Sequence, residues 1–351
     1  MNCIVCFAGT CPPDEGYFNL VLYTVDMDNS RKDRRDNTIS RRQVLRRMGI
    51  ISAGAASGFA SLRYSNAAVT DPSKVPELRG RINHSLVSWP FRRFGGKWDL
   101  DTTCRVARDS GCKSVELVGP DDWPTLAKYG LECAIAPNGT GYVKGLNNTD
   151  NHEEVIERTR RMIEAASMAP VRVHSVIAFT GFKYRKADDP SSGVISLEEG
   201  AGNTVAGLKK LIPSAERHGI NIYLEHLNTR VENDDSRGHP GYQGDDIDYC
   251  SDIIRRVGSP CIKLLFDIYH VQIMNGDIIS RIREYGTDLI GHIHTAGVPG
   301  RSELDDSQEI QYRPIMQSLV DIGYTGFVGH EFIPTRDPLE GIREAIAVCD
   351  V

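Results

Sequence analysis

Eight short apolar runs, separated by longer amphipathic stretches, predict an α/β chain built as a single (β/α)₈ TIM barrel behind a disordered N-terminal export leader. Two further observations support that fold. The rhythm continues from residue 81 to the last residue without the signal of a second domain, and four consecutive runs close on a carboxylate or a histidine. A barrel presents its active site at the carboxyl ends of its strands, so those endings fall where chemistry is expected.

The strands are expected at 82–87, 113–118, 131–135, 171–178, 220–225, 262–267, 289–294 and 326–331. Each is short and mostly apolar, with Val and Ile frequent, as buried parallel strands require. Helical periodicity covers 151–168, 204–217 and 311–322, where apolar residues recur every three or four positions. Asp150 with Glu153 reads as an N-cap and its acidic partner, and Asp337-Pro338 as a second helix start. The polar segments 136–150, 180–197 and 229–246 each follow a strand and are expected to roof a pocket.

Residues 1–67 are read as a leader, 68–80 as a linker and 81–351 as the catalytic barrel. The leader holds nine basic and six acidic side chains, leaving 32 basic and 41 acidic ones in the remainder. Arg41-Arg42 stands ahead of the weakly apolar stretch IISAGAASGFA at 50–60, and Ser65-Asn66-Ala67 supplies a small-x-small cleavage site. Together these resemble a twin-arginine export signal, which implies the twin-arginine machinery as a partner and a periplasmic location. Met27 opens a more ordinary signal than Met1, so the true start is expected there; N-terminal sequencing of the precursor checks this.

The six cysteines beyond the leader are widely spaced, with no CxxC pair, so neither a thiolate zinc site nor a disulfide framework is indicated. A net charge of −6 argues against a nucleic-acid partner. Walker A, GxSxG and HExxH signatures are absent, and no nucleotide cofactor is expected.

Glu225, Asp267, His294 and Glu331 are the last residues of four adjacent strands. Alone, any one of them is an ordinary loop acid or a solvated histidine. Together, three carboxylates at one rim would repel one another unless a cation lay between them. The ligand set is mostly hard oxygen, which suits Mn²⁺ or Mg²⁺, with Co²⁺ or Zn²⁺ as further candidates. Arg301 offers a guanidinium fork for a substrate carboxylate. Asn83, His84, Glu116, His174, Asn228 and His292 are candidate supporting residues around the ligands, Trp123 is a pocket wall or core residue, and Lys263 is expected below the rim.

The segments GRINHSLVSWPF, KSVELVGPDDWPTLAKYGL, KLLFDIYHVQIMNGD, GHIHTAGVPGRSELDDSQEIQY and GFVGHEFIPTRDP resemble the hydroxypyruvate isomerase-like family, within the wider xylose isomerase-like TIM-barrel superfamily. The resemblance implies that Glu225, Asp267, His294 and Glu331 bind metal, that Glu225 and Glu331 are also the acid–base pair, and that His270 and Arg301 bind substrate. It implies an isomerase acting on a small hydroxy-keto acid, with hydroxypyruvate converted through an enediolate to tartronate semialdehyde. His294 departs from this pattern: the position holds Gln in isomerases of the family and His in related ketose epimerases. The alternatives are a ketose 3-epimerase, a 2-oxo sugar acid isomerase or a sugar lyase, and, outside enzymes, a non-catalytic carbohydrate-binding barrel.

Overall fold

The computed structural model describes residues 77–232 and 235–351. The leader, its twin-arginine pair and its cleavage site lie outside the described residues. The described fold is α/β. Its main sheet is parallel throughout and follows the order β2-β1-β9-β8-β7-β6-β3, with β1 Asn83–Val87, β2 Ser114–Glu116, β3 Ser175–Phe179, β6 Asn221–Glu225, β7 Ile262–Asp267, β8 Ile290–Thr295 and β9 Phe327–His330.

The expected closed, eight-stranded barrel is corrected here to an open sheet of seven regular strands. The run expected as a third strand, 131–135, forms only isolated bridges, Ser114 with Glu132 and Cys133 with Val173, followed by Ala136 with Val176. The physical reason is local. The backbone N–H of Ala134 donates to the Ser114 hydroxyl, and its carbonyl accepts from the Ser175 hydroxyl, so side chains take the place of ladder partners. On the other side of the seam, β2 stops after three residues because Leu117 adopts φ 56°, a left-handed conformation no strand contains.

Two strands in the segment 180–197 were not expected. Tyr184–Lys186 (β4) and Asp189–Val194 (β5) pair antiparallel as a separate ribbon. The segment then runs directly into α5, Leu197–His218, which begins seven residues ahead of the periodic stretch. Ser196 caps that helix by accepting from Glu199 N–H at 3.2 Å.

The helices before α5 are α1 Ser88–Arg93, α2 Leu100–Asp109, α3 Trp123–Lys128 and α4 His152–Ser167. Asp150 does not cap α4. Asn148 instead caps a short 3₁₀ turn, Thr149–Asn151, ahead of it. Next come α6 Ile247–Val257, α7 Ile268–Met274, α8 Ile278–Leu289, α9 Tyr312–Asp321 and α10 Pro338–Cys349. Asp337 caps α10 as expected, with Pro338 in the first turn.

These helices pack on the outer face of the sheet and bury the larger apolar core. A smaller cluster, Ile135, Ile177, Phe179, Tyr223, Leu227, Tyr242 and Leu265, fills the inner face. Strand periodicity of two puts Glu225 on the face of Tyr223, Asp267 on that of Leu265, and His294 on that of His292. The site residues therefore stand directly above an apolar floor.

Candidate metal centre

Glu225, Asp267, His294 and Glu331 converge. One ligand atom from each lies within 4.8 Å of all the others, and all four side chains are buried. Register brings them together. Asp267 pairs with His294 across β7 and β8, Glu225 with Leu265 across β6 and β7, and Glu331 follows β9, its N–H bonded to the Thr295 carbonyl at 2.9 Å.

Each side chain contributes one ligand atom to the cluster. Asp267 is also the N-cap of α7: its Oδ1 accepts from Tyr269 N–H at 2.8 Å, leaving Oδ2 toward the cluster. His294 Nε2 lies 3.5 Å from Glu116 Oε2, whereas its Nδ1 is 2.9 Å from Glu331 Oε2 and 3.7 Å from Glu225 Oε1 without a hydrogen bond to either. A proton held on Nε2 by Glu116 would leave Nδ1 to a cation once the ion displaces the second ring proton, the arrangement a metal-binding imidazole requires. Charge fits the same conclusion. Three buried carboxylates face one buried guanidinium, Arg301, which offsets only part of their charge, and a divalent cation would relieve the rest of the repulsion. These residues form a divalent-metal site.

Without a cation the carboxylates respond unequally. Burial pushes Glu225 up to about 7, with the Glu331 charge adding to the effect. Burial also raises Asp267. Glu331 is buried too, but Arg301 and His294 overcome that and hold it down to about 2. Arg301 Nη2 bonds Glu331 Oε2 at 2.5 Å and lies 3.4 Å from Asp267 Oδ2, and its Nη1 donates to the Ser236 carbonyl at 2.6 Å. The guanidinium stands 5.4 Å from both the Trp89 and Tyr269 ring centres, and its Nε has no partner. Arg301 itself takes φ 55°, a backbone strain tolerated where a side chain must be aimed.

His270 lies beside Asp267, its Nε2 3.5 Å from Oδ2. Its Nδ1 accepts from Asn228 N–H at 3.1 Å, which places the ring proton on Nε2. Burial and the Arg301 charge push His270 well below the usual histidine range, so it is a neutral donor.

Behind the ligands, His292 Nε2 lies 2.6 Å from the same Glu116 oxygen that meets His294. Space for this carboxylate comes from Gly329, where a Cβ would stand 2.2 Å from Glu116 Oε1. Glu116→Gln is expected to weaken metal binding by about ten- to a hundredfold, because the amide cannot hold both imidazoles as a carboxylate does. Titration with Mn²⁺ measures this, and unchanged affinity would remove the orienting role.

Of the candidate supporting residues, Glu116, His292 and Asn228 adjoin the cluster, and three others do not. His174 precedes β3 and lies 2.5 Å from Glu132 at the amino end of the sheet. Asn83 begins β1 and bonds the Thr325 carbonyl at 2.8 Å. His84 stacks on His330, its Nδ1 3.1 Å from His330 Nε2. Trp123 is core, its indole N–H bonded to the Val118 carbonyl, and Lys263 sits low on β7, bonded to the Thr287 carbonyl. Sequence reasoning missed Trp89, whose indole N–H donates to Glu331 Oε1 at 2.7 Å. Its signal was an aromatic two residues past the first strand.

The cluster opens into a cavity of about 440 Å³ walled by Trp89, Tyr142, Phe179, Leu227 and His239, with Glu225, Arg301 and Glu331 at its base. Residues 104–350 match the family described as xylose isomerase-like TIM barrel. The chain belongs to this family. It is similar to the human protein named "Putative hydroxypyruvate isomerase", 39% identical over 273 residues that cover 73% of this chain and 91% of the relative. It is also similar to 2-oxo-tetronate isomerase of Pectobacterium atrosepticum, 26% identical over 247 residues that cover 68% and 88%. A crystal structure of an AP endonuclease of family 2 from Brucella melitensis superposes with a TM-score of 0.62 at 21% identity, covering 74% of this chain and 97% of that one, a likeness of fold. As a member of the xylose isomerase-like family with this metal centre, the chain is an enzyme of the isomerase and epimerase class.

Proposed function

We propose that the chain is a divalent-metal-dependent isomerase of a 2-oxo sugar acid of four or more carbons. The observation that carries the reading is the placement of Glu225 and Glu331 beside one four-ligand centre at the base of the cavity. Beyond the metal centre the cavity continues along Tyr142, Phe179, Leu227 and His239, a wall against which carbons past the reacting pair can lie. The names of the human and Pectobacterium relatives support an oxo acid, and the Arg301 guanidinium lining the cavity offers its carboxylate a positive charge.

Mn²⁺ or Mg²⁺ suits the hard donor set and would supply positive charge to the oxygen anion that forms when a C–H bond beside a carbonyl is deprotonated. The chain's own residues do the rest. Glu331, held anionic by Arg301 and His294, removes the proton from the hydroxyl-bearing carbon. Glu225, the other carboxylate of the pair, passes a proton taken up from solvent to the former carbonyl carbon. His270 Nε2–H moves the hydroxyl proton between the two oxygens, so the ketone shifts by one carbon with no net change in composition. Arg301 holds the carboxylate away from the reacting pair.

A second reading, ketose 3-epimerisation, draws on His294, since the resemblance places histidine there in ketose epimerases. Incubation in D₂O with Mn²⁺, quenched by chelator and read by mass spectrometry, separates these readings. A four-carbon 2-oxo acid is expected to exchange faster than hydroxypyruvate or any ketose. Exchange on ketoses alone would favour epimerisation, and exchange on none would reject the proposal.

A further inference from the structure

We propose that His239 is a substrate-binding residue which, with Tyr142, forms a distal subsite for the hydroxyl groups of carbons beyond the reacting pair. The inference rests on the isomerase reading and deepens it by naming what selects the longer substrate.

His239 comes from the polar segment between β6 and α6. It lines the same cavity as Glu225, Arg301 and Glu331, yet it is only 4% exposed. Its backbone is fixed at both ends: its N–H donates to the Asn228 carbonyl at 2.8 Å, and its carbonyl accepts from Tyr242 N–H at 3.0 Å. The ring is held edge-on between Tyr142 at 4.5 Å and His270 at 5.6 Å, which ties the outer wall of the cavity to the reacting centre. Its position is therefore set, and one ring nitrogen, Nδ1, is buried with no hydrogen-bond partner. A buried unpaired ring nitrogen is costly, and it persists most readily where a ligand completes it.

Two neighbouring polar groups are already engaged. Asn138 Oδ1 accepts from Thr140 N–H and Gly141 N–H, and the Ser236 carbonyl accepts from Arg301. Burial and the nearby Arg301 charge hold His239 down to about 3, so its ring is neutral. A neutral imidazole offers one donor and one acceptor, which matches a hydroxyl group and gives a carboxylate no advantage. The Tyr142 and Phe179 rings supply apolar faces for the C–H side of the same carbons.

The test is binding of two non-reacting acids, glycerate and the four-carbon threonate, to the Mn²⁺-loaded protein by titration calorimetry. The native protein is expected to prefer threonate, and His239→Leu to lower that preference by about tenfold, the equivalent of 1.4 kcal/mol. His239→Gln, which restores a donor and an acceptor, is expected to recover part of it. Equal weakening toward both acids, or no change toward either, would overturn the subsite and leave His239 a packing residue. Because the readout is binding, it stands apart from the isomerase assay. A native protein that exchanges no proton yet shows the His239-dependent preference would refute the reaction and support the subsite. If the leucine variant fails to fold, the Gln and Asn variants carry the same comparison, and an unaltered preference in both overturns the proposal.

Discussion

Glu331→Gln is expected to lower proton exchange from the substrate by about a hundred- to ten-thousandfold, the usual contribution of a positioned general base, with the fold intact. The amide oxygen can still accept from the Trp89 indole at Oε1, and Arg301 retains its bond to Ser236 and its proximity to Asp267. What is lost is the anion that Arg301 and His294 stabilise. The variant also loses a metal ligand, so the assay must be run at saturating Mn²⁺ to separate weakened binding from a missing base. Circular dichroism and a melting curve check folding. Native exchange at saturating metal would reject Glu331 as the base and shift that role to Glu225, for which Glu225→Gln is the parallel experiment.

The carboxyl ends of β6, β7, β8 and β9 were legible because each strand is a short, mostly apolar run with an ionisable residue at or beside its carboxyl end. Period two and parallel register then leave little freedom in where such residues meet. Other features were hidden for stated reasons. The 131–135 run has a strand's composition, but two serine hydroxyls on its neighbours satisfy Ala134. His174 read as a strand-end residue because the strand was begun at 171, whereas β3 starts at Ser175 and leaves His174 at the opposite end. Glu116 looked like one candidate among six, since nothing local shows that Gly329, two hundred residues away, opens the space it fills. His239 lies in a polar loop with no periodicity, so only the folded chain shows its ring against Tyr142 and His270. The ribbon of β4 and β5 carries Pro190 and Gly193, residues that signal a turn more strongly than a strand.

Metal loading is expected to stabilise the protein by an amount that grows between about pH 5 and 7. Glu225 in the metal-free chain titrates at about 7 against an ordinary value of 4.5. Its protonated form is therefore favoured by folding, and the stability it contributes at low pH is lost as pH rises toward 7. His294, held well above 6.5 by the surrounding carboxylates despite its burial, acts in the same direction above pH 6.5. Glu331 acts oppositely, losing its contribution only as pH falls from 4.5 toward 2, outside this window. The six histidines with lowered values, His84, His226, His239, His270, His292 and His330, destabilise the fold as pH falls below 6.5. Most of them stand apart from the ligand atoms, so their effect is largely common to both forms and cancels when loaded and chelator-treated protein are compared. What survives in the difference is the exchange of a proton on Glu225 or His294 for the cation, which releases protons and tightens binding as pH rises. At an ion concentration a hundred times the dissociation constant, the gain is about 2.7 kcal/mol, which at about 2–4 °C per kcal/mol is a shift of several degrees. Melting curves with Mn²⁺ or with chelator at pH 5, 6 and 7 measure it. Identical curves at all three would show that these four side chains do not hold a cation, whereas a shift that shrinks toward pH 7 would mean that Glu225 is not the group the ion deprotonates.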